Sequence, residues 1–142
     1  MTMNILQKAG GIVLQRKTGN VCVVMNEFGR FVIPKGSIEQ HETPEIVAKR
    51  EVYEETGLKA LTLLRKAGVL KRSGHASVLS KHADVLKEIH FFLYETSEDS
   101  LRPQTSDSVS ARWVDVHALA KTLSWVEEYE FVKKKCPELF AR

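Results

Sequence analysis

Thr43, Pro44 and Gly57 bracket the feature that most restricts how this chain can fold. Threonine is a good helix N-cap, proline suits the first helical position, and Glu45 lies favourably near the positive end of the helix dipole. Glycine stops a helix at its C-terminal end. The spacing therefore predicts one internal helix from about Thr43 to Thr56. Short apolar, β-branched runs surround it. "AGGIVLQ" and "VCVVM" flank the turn-rich "RKTGN" and read as a hairpin. "NEFGR" is a second turn, "FVIP" a strand ended by Pro34, and residues 34–42 read as loop. Beyond the helix, "KALTLLRKAGVLKR" reads as a strand broken near Gly68 and "SGHASVLSKHADV" as polar loop. "KEIHFFLYE" and "SVSARWVDV" follow as strands. "HALAKTL" and "WVEEYEFVKKK" read as terminal helices, the second stopped by Pro137. Strands on both sides of an internal helix, with helices at the end, predict an α/β mixed sheet covered by helices.

The bracketed helix carries Glu51, Glu54 and Glu55. Like charges three and four residues apart cost a few tenths of a kcal/mol per pair. With about 100° per residue, Glu54 and Glu55 fall at roughly −60° and +40° from Glu51, while Ile46, Val52, Tyr53 and Thr56 fall between about +100° and +220°. The expectation is an acidic face opposite a mostly apolar one. Three oxygen donors on a rigid element suit a hard divalent cation such as magnesium or manganese. From the helix alone a solvated acidic surface is the favoured reading, because surface glutamate clusters are common.

The preceding loop adds information. Residues 36–58 fit G-x5-E-x7-R-E-U-x-E-E-x-G-U, with U aliphatic. Gly36, Glu42, Arg50, Glu51, Glu54, Glu55 and Gly57 are the fixed positions, and Val52 and Leu58 the aliphatic ones. Chance agreement is of order one in 10⁸ per starting position. The segment closely resembles the Nudix box, and the order of strands around it also resembles the Nudix hydrolase family. The resemblance implies an α/β/α sandwich with a mixed central sheet and metal-dependent cleavage of a diphosphate linked to another group. It also implies Glu51, Glu54 and Glu55 as metal ligands, with the Gly36 carbonyl as a further donor. Glu51 is the first choice to orient or deprotonate the attacking water, although some family members place that base in a distant loop. Arg50, within the catalytic set, is expected to orient the carboxylates. Glu42 braces the loop, and Gly57 ends the helix. Glu88, Glu95 and Asp99 are candidates for an additional ligand outside the box.

The box specifies a reaction class and leaves the substrate open. "FVIPKGS" resembles the Pro-Lys-Gly approach to the box among diadenosine polyphosphate and diphosphoinositol polyphosphate hydrolases. That makes Lys35 a candidate phosphate contact, against the plainer reading of a solvated loop lysine. Arg65, Lys66, Lys71, Arg72, Lys81 and Lys87, with His75 and His82, form a basic stretch suited to a polyphosphate tail or simply to solvent. Lys87, opening a strand, is its foremost candidate for substrate binding. Phe28, Phe31, Phe91, Phe92 and Tyr94 are candidates for stacking on a base or for core. His41, His90 and His117 have no metal-ligand spacing. "KRSGHAS" lacks the tyrosine usual in asymmetrical diadenosine tetraphosphate hydrolases, and the proline that marks many ADP-ribose hydrolases is also missing there.

The expectation is thus a hydrolase of a nucleoside polyphosphate, with a dinucleoside polyphosphate favoured. The alternatives are a nucleoside triphosphate pyrophosphohydrolase and a non-catalytic nucleotide sensor, against which the intact carboxylate set speaks. The 142 residues are expected to form one domain, and their 43% apolar and 27% charged composition is that of a soluble globule. A net charge of +3 and the lack of an RNA-binding motif make nucleic acid an unlikely partner. No apolar run has the length of a membrane span, and no secretory signal is visible. Cys22 and Cys136 match no zinc or redox spacing. These features predict a cytoplasmic protein with reduced thiols.

Overall fold

The computed structural model describes residues 4–75, 84–106 and 108–141. Its strands are β1 (Asn4–Gln15), β2 (Val21–Asn26), β3 (Phe31–Val32), β4 (Lys35–Ser37), β5 (Thr62–His75), β6 (Asp84–Thr96) and β7 (Ser108–Val114). The helices are α1 (Pro44–Thr56), α2 (Leu119–Thr122) and α3 (Val126–Lys135), with 3₁₀ turns at Val116–Ala118 and Pro137–Ala141. One mixed sheet runs β3-β2-β1-β6-β5, with β4 added to β1 and β7 to β2. β1 and β6 are parallel, in register from Asn4↔Val85 to Gln15↔Thr96. The other pairs are antiparallel.

Side chains alternate across this sheet, and both faces are covered. On one face Ile12, Leu14, Val21, Val23, Ile89, Phe91 and Leu93 pack with Leu119, Phe131, Val132 and Leu139. On the other, Ala9, Val13, Cys22, Phe92 and Tyr94 pack against Val47, Ala48 and Val52 of α1. Burial on both sides explains why "AGGIVLQ" and "VCVVM" are continuous apolar runs. The expected α/β/α sandwich is the one observed.

Two local expectations give way, and the expected hairpin is present but short. Residues 35–37, read as loop, form β4, because β1 starts at Asn4 and its edge takes a partner: Lys8↔Ser37, Ala9↔Gly36 and Gly10↔Lys35. The β1–β2 hairpin is confined to its tight end, where Leu14 pairs with Val21 and Gln15 N–H donates to Asn20 O at 2.8 Å. Ser73–His75 and Asp84–Val85, read as polar loop, belong to β5 and β6; the rest of that expected loop lies outside the described residues. The break near Gly68 is present as an irregular register between Lys66 and Gly68, with Gly68 at φ 147°.

Candidate active site

Local chemistry fixes α1 as its termini predict. Thr43 Oγ1 accepts from Ile46 N at 3.4 Å. At the other end Gly57 is left-handed, at φ 83°, and its N–H donates to Tyr53 O at 2.8 Å. A Cβ there would lie 2.5 Å from Arg102 O, so both backbone angle and space require glycine. Arg102 N and Gln104 N each donate at 2.7 Å to the carbonyls of Thr56 and Glu54, satisfying the helix end.

The expected division of α1 into opposite acidic and apolar faces is overturned. The buried side chains are Val47, Ala48, Val52 and Thr56, whereas Ile46 is 60% exposed. On the helical wheel Val47 and Ala48 flank Glu51 at roughly −40° and +60°, so the inward stripe contains Glu51 and Glu55. Val47, Ala48 and Val52 of that stripe meet the sheet. Glu51, Glu54 and Glu55 line a cavity of about 330 Å³ beside β4, together with Lys8, Lys35 and Gly36 among others.

Burial, followed by the neighbouring Glu51, pushes the Glu55 carboxyl up to about 8. Glu55 Oε2 accepts from Lys35 N at 2.9 Å. Glu51 is also raised, by burial and then by Glu54. Arg50 spans the cluster. It donates to Glu42 at 3.0 and 3.1 Å, to Glu51 Oε1 at 3.2 Å and to Glu54 Oε1 at 3.4 Å. Glu42 in turn accepts from Glu39 N at 2.9 Å, which ties the loop to the helix. At Gly36 an added Cβ would fall 2.1 Å from Glu51 Cδ. Glycine is what permits that carboxylate to lie against the β4 backbone.

The donor set is hard oxygen throughout, and its mutual repulsion would be relieved by a divalent cation. The residues therefore fit such an ion in character. Among the described residues, however, no three acidic, histidine or cysteine side chains already converge as a ligand set. Arg50 holds Glu51 and Glu54, and the Lys35 amide holds one Glu55 oxygen.

The remaining candidates separate by register. Glu88 pairs with Gln7 in the ladder, near the Ala9↔Gly36 contact, and its Oε1 accepts from Gln7 Nε2 at 2.5 Å. Glu95 pairs with Leu14 at the far end of β6 and binds Arg16 at 2.8 Å. Asp99 lies beyond β6, and its carbonyl accepts from Trp113 Nε1 at 2.9 Å. Phe91, Phe92 and Tyr94 are all buried in the core, so the stacking role considered for them is not available. Phe28 is exposed, and Phe31 lies under Arg112 at 4.5 Å. Lys81 and His82 lie outside the described residues, and nothing is described of the His75 side chain.

Lys35 lines the cavity, but its ammonium turns toward α3. There it donates to Glu128 Oε2 at 2.7 Å and to Ile33 O at 3.0 Å. Glu128 is fully buried and also accepts from Ile33 N at 2.7 Å. This ion pair was not anticipated from the sequence. Its signal was the position of Glu128 one turn before Phe131 and Val132, on the same buried stripe. Lys8 was also missed. Carrying the period-two register of Ile12 and Leu14 back along β1 places Lys8 on their face, at the mouth of the cavity.

The NUDIX domain family model matches residues 4–135. The chain belongs to the Nudix family, whose pyrophosphohydrolases act on phosphoanhydride bonds and generally use divalent metal ions. It is 26% identical over 118 residues to an RNA pyrophosphohydrolase of Bartonella henselae, covering 75% of this chain and 68% of that one. It is 29% identical over 129 residues to the putative mutator protein MutT4 of Mycobacterium tuberculosis; these are 84% of this chain, but only half the length of that relative. The E. coli dihydroneopterin triphosphate pyrophosphohydrolase has the same fold, with a TM-score of 0.76, 15% identity, and coverage of 97% of this chain and 99% of that one.

Proposed function

We propose that this chain hydrolyses a phosphoanhydride bond of a nucleoside polyphosphate, dinucleoside polyphosphates foremost, with magnesium or manganese held by Glu51, Glu54, Glu55 and the Gly36 carbonyl. The observation that carries this reading is the cavity itself. One wall holds the three box carboxylates, with Glu51 and Glu55 raised by burial, while Lys8 and Lys35 contribute to its lining. A cation bound to those carboxylates supplies neutralisation of phosphate oxygens and a water of lowered pKa. Glu51 would orient or deprotonate the attacking water. Arg50, anchored on Glu42, fixes the directions of Glu51 and Glu54 by charge-assisted hydrogen bonds. Lys87 contacts the phosphate chain. Lys35 does the same in exchange for Glu128, or else acts through its amide bond to Glu55.

The names of the relatives support a polyphosphate substrate, since one is an RNA pyrophosphohydrolase and a structural neighbour a pyrophosphohydrolase of dihydroneopterin triphosphate. Cleavage of nucleoside triphosphates to monophosphate and pyrophosphate is the second reading, in keeping with the structural neighbour that acts on dihydroneopterin triphosphate. Free, buried Cys22 and Cys136 suit the cytoplasmic setting expected from the sequence. No described helix is long and apolar enough to cross a membrane. The test is a panel of diadenosine tetraphosphate, ATP, ADP-ribose and 5′-triphosphorylated RNA, each with magnesium or manganese and scored for released fragments. Turnover of diadenosine tetraphosphate above the others is expected. Preference for ATP would replace the first reading by the second, and no turnover of any of them would leave a nucleotide sensor.

A further inference from the structure

Lys8, Lys87 and Arg72 stand on neighbouring strands β1, β6 and β5, on the sheet face that carries Ile12, Ile89 and Leu70. In the parallel ladder Leu6 pairs with Lys87 and Lys8 with Ile89, so the two lysines are diagonal neighbours on that face. Lys87 directly opposes Arg72. Adjacent strands are about 4.8 Å apart. Like charges placed opposite one another in a sheet are destabilising.

Other cations on this side are compensated. Arg72 lies 3.2 Å from Glu127 and over the Trp125 ring at 4.6 Å, and Lys35 pairs with Glu128. Lys8 and Lys87 are half-buried and have no ion-pair partner among the described residues. Burial, then Lys87 and Lys35, pushes the Lys8 ammonium below its ordinary value; Glu51 and Glu55 act on it in the opposite sense. Burial, then Arg72 and Lys35, does the same to Lys87. Lys8 lines the acidic cavity and Lys87 is its diagonal neighbour on the same face; two ammonium groups so placed, neither in an ion pair among the described residues, make a receptor for an anion arriving from that cavity.

We propose that Lys8 and Lys87 form a subsite for the phosphate next beyond the metal-held diphosphate, so that the chain selects compounds with three or more phosphates in a row. This rests on the function proposed above and narrows its substrate class. A simple diphosphate would be held by the carboxylate side alone and would leave the lysines unmatched. A third phosphate adds negative charge where they stand.

The probes are inorganic tripolyphosphate and pyrophosphate, titrated calorimetrically in magnesium into the wild-type chain, Lys8→Gln, Lys8→Arg and Lys87→Gln. The wild type is expected to bind tripolyphosphate at least tenfold more tightly than pyrophosphate. Lys8→Gln should lose about tenfold for tripolyphosphate and less than twofold for pyrophosphate, with Lys8→Arg near wild type. Equal losses for both probes, unchanged binding, or a wild type without preference would each overturn the subsite. Thermal melting checks that the variants fold. If Lys8→Gln does not, Lys87→Gln and the wild-type preference decide. The substrate panel reads separately: a chain that binds both probes as expected but cleaves nothing loses the hydrolase reading and keeps the subsite, whereas equal use of diphosphate- and triphosphate-containing substrates loses only the subsite.

Discussion

Glu55 concentrates the electrostatic problem of this protein in one side chain. Its carboxyl is raised to about 8 from 4.5, first by burial and then by Glu51. Between those values the folded chain keeps a proton that the unfolded chain has released. The stability this group contributes is therefore fully present below about pH 4.5 and is lost as the pH rises through about 8. Melting temperatures measured in chelator should fall between pH 5 and 8.5, and Glu55→Gln should flatten that slope. Magnesium competes with the same proton, so the melting temperature gained on adding it should be larger at pH 8.5 than at pH 5.5. Glu51 is the candidate base. Glu51→Gln should lower kcat by about 10²–10⁴-fold with the fold intact, as read by steady-state kinetics beside a melting curve. Arg50→Lys keeps the charge but loses the fork that reaches Glu42, Glu51 and Glu54 together. A loss of about 10–100-fold in metal affinity or turnover is expected, measured by metal titration of the activity.

At the scale of the element, α1 is held by its ends and by a buried stripe of Val47, Ala48, Val52 and Thr56 into which Glu51 and Glu55 also turn. Gly57→Ala forces a left-handed residue against the Arg102 carbonyl. It should destabilise by more than about 1 kcal/mol in urea unfolding, without altering the carboxylates. Helix α3 is tied to the β3–β4 segment by Glu128. Glu128→Ala would strand the Lys35 ammonium, only 13% exposed, and should cost about 3 kcal/mol or more in the same measurement. These elements also show where the sequence was readable. Capping residues and turn formers act locally, so both ends of α1 and the interruption at Gly68 were visible from composition and spacing. The inward turn of Glu51 and Glu55 was not, because the wheel fixes relative angles and the sheet decides which angle points inward. Strand β4 was hidden for a related reason: three residues carry no period, and their pairing depends on β1 reaching back to Asn4. Lys8 and Glu128 stayed out of view because each belongs to an apolar stripe whose register must be known before a lone charge on it stands out.

The whole molecule places opposite charges on the two sides of one sheet end. Acidic groups come from α1, and cations from the face that meets α3. The carboxylates, their loop brace and the helix caps lie within residues 36–58, which is why the reaction class could be inferred from a short segment. The cationic side draws on β1, β5 and β6, distant in sequence and brought together only by the ladder. This explains why substrate class was far less legible than chemistry.

That ladder also governs when the catalyst comes into being. As the ribosome delivers the chain, the acidic helix emerges long before the stretch from Val85 to Thr96 that must lie alongside Asn4 to Gln15. Contacts between such remote partners form slowly, because the intervening chain has to close first. A nascent polypeptide released before that closure would carry the entire box on a helix with no lysine wall across from it. Only a chain that has emerged past Thr96 can bring Lys8 and Lys87 to the same edge of the site.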